Sequence, residues 1–200
     1  MAHLRPLENR EINDGFIKDR FAHYEATRGF IPNSIRTMAR RPNIVKAFMA
    51  LNQAVLYEGS VSEDLKMLIS LMCSFSAGCL YCQSHMANLS NIYNASEEKI
   101  AALMEYETSN LFTDAERAAL SLAYKAAQVP NDTSQKDFDM LSQYFDDGQI
   151  VEIIASIGLF GYLNRWNDTM ATTLEPVANA RAQNLIGPQG WAPGKHTPKS

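Results

Sequence analysis

Apolar positions recur along the chain with a helical period, and no stretch shows the two-residue alternation of a strand. Residues 11–27 are mixed polar and aromatic and end at Arg28-Gly29, a helix stop. After Pro32-Asn33, Ser34 to Arg40 reads as a short basic helix. Pro42 opens the next, which runs to Tyr57 with Ile44, Phe48, Leu51 and Val55 as its apolar stripe and stops at Gly59. Ser62 caps a helix whose Leu65, Leu68, Ile69, Met72 and Phe75 repeat to about Ala77. Ser76-Ala77-Gly78 breaks that helix and lets another begin at Cys79, reaching about Tyr93. Ser96 caps an element ending near Glu107, and Thr113 with Glu116 forms a capping box ahead of Ala119, Leu122, Ala123 and Ala126. Beyond the turn Val129-Pro130-Asn131-Asp132, one helix starts near Ser134 and breaks at Asp146-Asp147-Gly148. A long helix then reaches roughly Thr169, and a last one runs from Pro176 to about Ile186. The pattern predicts an all-α fold of about eight or nine helices.

Three segments follow: an N-terminal helical extension (1–27), a helical domain (28–186) and a Gly/Pro-rich tail (187–200). The tail's composition forbids a regular element, although Trp191 within it is expected to pack. Two hundred residues, 46% of them apolar, can bury a sizeable core. A net charge of −4 argues against a nucleic-acid partner. The longest apolar run, Ile150 to Leu163, contains Glu152 and meets Asn164 and Arg165, so it reads as a core helix and not a membrane span. The start of the chain lacks a basic stretch followed by an apolar segment, so no signal peptide is expected. Three cysteines, an odd number, suit a reducing, cytoplasmic compartment. No flavin, haem or nucleotide signature is present, and no cofactor is expected.

The candidate chemistry centres on Cys79-Leu80-Tyr81-Cys82, with His85 three residues further on. A CxxC pair can be a redox couple, half of a zinc site, or two buried thiols acting as small apolar side chains. Only Cys73, His3, His23 and His196 remain as further soft ligands, with no second paired motif, so no metal site is expected. A helix starting at Cys79 puts Cys82 in its first turn, where the dipole favours thiolate, the nucleophilic form. A thiol-based enzyme is the leading reading.

Gly78-Cys79-Leu80-Tyr81-Cys82-Gln83-Ser84-His85, preceded by the apolar helix from Ser62, resembles the core motif of the alkyl hydroperoxidase D-like, or carboxymuconolactone decarboxylase-like, superfamily. The segments Gly29 to Ser34, Met38 to Pro42, Leu163 to Asp168 and Gly190 to His196 resemble its larger members, so the similarity covers most of the chain from about residue 28. The resemblance implies an all-helical fold that oligomerises through helix faces as a dimer, trimer or hexamer. It implies reduction of hydroperoxides, with Cys82 attacking the peroxide oxygen and Cys79 condensing with the sulfenic acid to a disulfide. A thiol or dithiol reductant then restores the pair.

The family relay comprises a glutamate twelve residues before the first cysteine and a histidine four after the second; here those positions hold Met67 and Met86. His85, at i+3 from Cys82, is the candidate partner of its thiolate, and Glu63, one turn before Met67, is the candidate stand-in carboxylate. Tyr81, Asn164, Arg165 and Asp168 are candidate substrate contacts, with a structural network joining helices as the competing reading. Arg36, Arg40 and Arg41 either receive an anion or decorate a helix. Met67, Met72 and Met86 would make a pocket apolar and suited to an organic peroxide. Two other functions stay open: a carboxymuconolactone decarboxylase-like lyase, which has no use for a CxxC, and a helical scaffold that has lost the relay.

Overall fold

Local chemistry sets most of the helix ends. The computed structural model describes residues 2–198, in which ten α-helices and four short 3-10 turns carry the fold. The helices are α1 (Gly15–Arg28), α2 (Asn33–Met38), α3 (Pro42–Leu56), α4 (Glu63–Ser76) and α5 (Leu80–Ile92), then α6 (Glu97–Ala101), α7 (Asp114–Ala126), α8 (Gln135–Leu141), α9 (Asp147–Met170) and α10 (Pro176–Leu185). That is one more than the upper expected count, although each of the ten matches a segment named from the sequence. Reciprocal capping boxes start α7, α8 and α9, from Thr113, Ser134 and Asp146. Gly29, at φ +77°, stops α1 in a left-handed conformation that a residue with a side chain rarely adopts.

The core is built around α4, which is buried continuously from Leu65 to Ser74 and packs against α5, α7 and α9. α5 is likewise buried from Tyr81 to Ser90 and takes α10 against a second face. Between them Gly78 adopts φ +70°, and the amide of Cys79 donates to the Ser74 carbonyl (3.1 Å). The break at Ser76-Ala77-Gly78 is therefore real, and Cys79 is the N-cap of α5.

One expected face is rotated. α3 buries Val45, Phe48, Met49, Val55 and Leu56, whereas Ile44 and Leu51 are exposed. The apolar positions of α3 are numerous enough to support two overlapping stripes, and contact with α9 selects the one through Val45 and Met49. The tail also holds more order than its composition suggests. Gly187–Gln189 and Gly194–His196 form 3-10 turns, Trp191 is buried, and its indole N–H donates to the Leu80 carbonyl (3.3 Å). Residue 1 of the expected extension and residues 199–200 of the expected tail lie outside the described residues. Among those described, no helix is long and apolar enough to cross a membrane.

Two of the three clustered arginines have a structural task. Arg36 donates to the Leu7 carbonyl (3.1 Å) and Asn9 Oδ1 (2.7 Å), and Arg40 donates to the Arg5 carbonyl (2.8 Å). They pin the N-terminal arm across α2, which removes them as an anion-binding pair.

Away from the cysteines, the ammonium of Lys66 (1% exposed) meets Glu152 Oε2 at 2.8 Å and also donates to the Glu58 carbonyl. The Glu152 carboxylate further accepts from the amides of Ser60 (2.8 Å) and Val61 (3.0 Å), tying α9 to the loop before α4. Burial opposes its charge, but the Lys66 ammonium and these amides outweigh that effect and hold Glu152 down at about 2. A depressed carboxylate contributes stability that is complete above its unfolded value and is lost as pH falls from about 5 towards 2. Urea unfolding of Glu152→Gln should therefore show a deficit of about 2–3 kcal/mol at pH 7 that shrinks towards zero below pH 3. A deficit independent of pH would contradict this linkage.

Candidate active site

The two cysteines lie at the start of α5 under the C-terminal turns. Cys79 is 0% and Cys82 2% exposed, and all three thiols of the chain are free. Burial pushes Cys82 well above the ordinary thiol value, with the hydrogen bond it makes to Cys79 adding to the effect. Cys79 moves the other way, chiefly because it receives that hydrogen bond, with the amides at the helix start assisting. The expected dipole-favoured thiolate on Cys82 is thus corrected. A helix start is worth about 1 kcal/mol, and desolvation of a buried sulfur exceeds it. Cys79 is therefore the more acidic thiol of the pair, and a single negative charge shared between them rests on Cys79 with the proton on Cys82.

Cys82 nevertheless is the thiol that meets open space. It lines a cavity of about 50 Å³ with Tyr81, His85, Met86 and Asn167, closed by Ile35, Phe48, Leu56, Leu89, Phe160 and Leu163; Cys79 is not on its wall. Asn167 Nδ2 donates to the Cys82 sulfur at 3.4 Å. Met86 lines this cavity, while Met67 and Met72 are wholly buried in α4 and do not.

His85 does not pair with a thiolate. Its Nε2 lies 2.8 Å from Oε2 of Glu175, while the Tyr81 hydroxyl donates to Oε1 of the same carboxylate (3.0 Å). The amide of Asn33, the first residue of α2, also donates to Oε1, and the Ser34 amide donates to the Tyr81 oxygen (3.3 Å). Glu175 is the N-cap residue of α10 and only 6% exposed, so the positive ends of α2 and α10 converge on its charge. The rings of Tyr81 and His85 stack with centroids 4.3 Å apart, and the edge of His85 meets Phe30 at 5.5 Å. Burial first, and the Glu175 charge second, raise the Tyr81 phenol well above its usual value, so it stays a donor.

The tail holds this arrangement from behind. His196 Nδ1 donates to the Thr172 carbonyl (2.7 Å) and the Leu174 amide donates to the His196 carbonyl (2.8 Å), fixing the backbone that delivers Glu175. Burial lowers the His196 pKa, which keeps the ring neutral in that role.

The other candidates fall elsewhere. Glu63 is exposed in the first turn of α4 and does not line the cavity; the buried carboxylate beside His85 is Glu175. Asn164, Arg165 and Asp168 line a separate cleft of about 740 Å³ with Ser76, Ala77 and Leu122. Asn164 Nδ2 donates to the Cys73 carbonyl (3.3 Å), and Asp168 pairs with Lys195 (2.8 Å), so these two join elements. Tyr81 alone of the four reaches the thiol cavity. Sequence reasoning missed Glu175 and Asn167. Asn167 was discoverable, because it continues the Phe160-Leu163 face, whereas Asp168 is one residue, about 100°, further around the helix. No group of three or more His, Cys, Asp or Glu side chains gathers as a metal site among the described residues.

The carboxymuconolactone decarboxylase family model matches residues 42–125, which spans α3 through most of α7. The debrominase Bmp8 superposes with a TM-score of 0.84 and 30% identity, covering 92% of this chain and 98% of that one. The chain belongs to the alkyl hydroperoxidase D-like/carboxymuconolactone decarboxylase-like superfamily. A cysteine-to-alanine variant of Bmp8 in complex with 2,3,4-tribromopyrrole matches equally well. A peroxidase-related protein from Ralstonia eutropha JMP134 with an alkylhydroperoxidase AhpD core, 23% identical at TM-score 0.77 over 99% of this chain and 98% of its own, shares the superfamily fold. No functionally curated protein matches the chain.

In this superfamily member the Glu175 contacts span α2, α5 and α10. Replacing Glu175 by Gln should cost about 2–3 kcal/mol, because its donors lose a charged acceptor in a buried setting, while Glu63→Gln should stay within about 0.5 kcal/mol of wild type. Urea denaturation of both variants checks this, and equal effects would contradict the placement.

Proposed function

We propose that the protein is a thiol-dependent oxidoreductase that reduces organic hydroperoxides, with Cys82 as nucleophile and Cys79 as resolving thiol. The observation that carries this reading is that Cys82 alone of the pair lines a small apolar cavity whose wall also holds His85. A space of about 50 Å³ accommodates an O–OH group beside the sulfur, with apolar side chains left to receive the organic part.

The chemistry begins with transfer of the Cys82 proton to Cys79 along their shared hydrogen bond. Asn167 Nδ2 then stabilises the Cys82 thiolate. The thiolate forms a bond to the terminal peroxide oxygen, the O–O bond breaks, and the departing alkoxide takes a proton from His85, which regains it from solvent. Cys82 is now a sulfenic acid. Cys79 attacks it, a disulfide forms, and the hydroxyl leaves as water with the Cys79 proton. A thiol or dithiol reductant returns the two electrons. Glu175 keeps His85 oriented and electrostatically supported throughout.

The lyase alternative is less well served. Arg36 and Arg40 are engaged with the N-terminal arm, and Arg28 at the cavity rim donates to the Tyr57 hydroxyl (2.7 Å). A scaffold has no use for a thiol held against a cavity. Exposed Ile44 and Leu51 on α3, with Val151, Ile154 and Tyr162 on α9, support the expected homo-oligomer.

A second reading has a specific observation behind it, the 30% identity to a debrominase along nearly its whole length. The same dithiol could reduce a C–Br bond to C–H, releasing bromide and closing the same disulfide, with His85 supplying the proton to carbon. A brominated ring needs a pocket several times larger than about 50 Å³, so the cavity walls would have to part.

Reduced protein treated with one equivalent of tert-butyl hydroperoxide should lose two thiols as a Cys79–Cys82 bridge located by mass spectrometry. Cys82→Ser should abolish consumption, Cys79→Ser should trap a sulfenic acid, and His85→Ala should slow the step by roughly 10²-fold. The rate should rise with pH as the pair loses its first proton and level off below the ordinary thiol value, since that proton leaves from Cys79, which lies below it, and the charge then passes to Cys82 internally. Unchanged thiols with peroxide, but bromide release from 2,3,4-tribromopyrrole, would transfer the assignment to the second reading.

A further inference from the structure

Asn167 is 2% exposed, and its amide is satisfied at one end only. Nδ2 donates to the Cys82 sulfur (3.4 Å) and to the Leu163 carbonyl (3.1 Å). A carbonyl can only accept, so Leu163 fixes which end of the amide is nitrogen. Oδ1, on the other arm, is buried and receives no hydrogen bond from any described residue. A buried carbonyl oxygen without a donor costs about 1–3 kcal/mol. The residue lines the cavity that Cys82 and His85 share.

We propose that Asn167 Oδ1 accepts a hydrogen bond from the substrate's own hydroxyl and so makes the site selective for electrophiles that carry a donor on the attacked atom, R–O–O–H above all. This rests on the hydroperoxide reading of the thiol pair and names the atom that recognises the substrate. One amide then spans both reactants: Nδ2 holds the sulfur that attacks and Oδ1 holds the oxygen that is attacked. The new S–O bond forms at that oxygen, the O–O bond breaks, and the alkoxide leaves with a proton from His85. The hydrogen on the attacked oxygen stays in place, so Cys82–S–O–H keeps donating to Oδ1. That contact holds the sulfenic acid until Cys79 displaces the hydroxyl as water. Asn167 is thereby a catalytic residue, touching both the reacting sulfur and the substrate.

The test compares two electrophiles on the full-length reduced protein. tert-Butyl hydroperoxide carries the donor; methyl methanethiosulfonate, a small thiol reagent, carries neither O–H nor N–H. Single-turnover loss of the Cys82 thiol is followed by mass spectrometry in wild type, in Asn167→Leu, which removes both ends of the amide, and in Asn167→Asp, which keeps the acceptor and loses the donor. The readout is the ratio of the two rate constants, in which a general effect on thiol reactivity or packing cancels. Asn167→Leu should lower the hydroperoxide rate at least about tenfold more than the thiosulfonate rate, and Asn167→Asp should keep the ratio within about threefold of wild type. Asn167→Ala serves as the acceptor-free variant if leucine prevents folding. Equal loss of both rates in the acceptor-free variant, or a ratio that falls as far in Asn167→Asp, overturns the proposal. A wild type that reacts with the thiosulfonate and ignores the hydroperoxide overturns the underlying function, a result distinguishable because it needs no Asn167 variant.

Discussion

A carboxylate cannot remain charged in a protein interior unless donors and positive potential replace the water it has lost. At Glu175 that requirement is met by three separate parts of the chain. Tyr81 and His85 supply side-chain donors from α5, Asn33 supplies a backbone amide from the start of α2, and the residue caps α10. Each partner is itself held: the Tyr81 oxygen by the Ser34 amide, the Glu175 backbone by the Thr172-Leu174-His196 contacts, and the tail by Trp191 on the Leu80 carbonyl. The geometry around the cysteines is therefore a consequence of satisfying one buried charge. It also explains why a Gly/Pro-rich tail is ordered at all, since it closes the far side of the loop that delivers Glu175.

The thiol pair answers to a different balance. Helix-start geometry favours thiolate in α5, but burial of Cys82 reverses that advantage and makes Cys79 the more acidic of the two. In the proposed chemistry the nucleophile is thus masked until its proton moves to its neighbour. A masked thiol reacts slowly with adventitious oxidants and requires a substrate that fits the cavity, whose polar lining includes Asn167, His85 and Tyr81. Positions 67 and 86, where the resemblance expects ionisable groups, hold methionines, one wholly buried in α4 and the other lining the apolar wall. The buried carboxylate beside the imidazole is Glu175, and that imidazole, His85, sits one position before Met86 on α5.

Helices were legible in the sequence because caps, glycine stops and apolar period act within a few residues. The boxes at Thr113 and Glu116, at Ser134 and Asp137, and at Asp146 and Gln149 start helices where local rules place them. The break that makes Cys79 an N-cap was readable for the same reason. Tertiary choice was not readable. The rotated face of α3 depends on α9, and the descent of Arg36 and Arg40 onto the N-terminal arm depends on a segment about thirty residues away. The site split along the same line. Cys79, Cys82, His85 and Tyr81 lie within one helix start and were found, whereas Asn167 and Glu175 reach them across 85 and 90 or more positions. A carboxylate directly before Pro176, at the mouth of a helix and behind an apolar leucine, was the signal for Glu175. Choosing it over Glu63 required knowing which helix starts meet.

Glu175 is proposed to do through space what the superfamily resemblance assigns to position 67. Single-turnover oxidation of Cys82 by tert-butyl hydroperoxide, compared in wild type and Glu175→Gln with the reaction of methyl methanethiosulfonate as the reference for thiol access, tests it directly. The peroxide rate should fall roughly tenfold or more with the reference reaction little changed, because the proton that the alkoxide needs comes through His85. An unchanged peroxide rate in folded Glu175→Gln would show that the carboxylate only supports the fold.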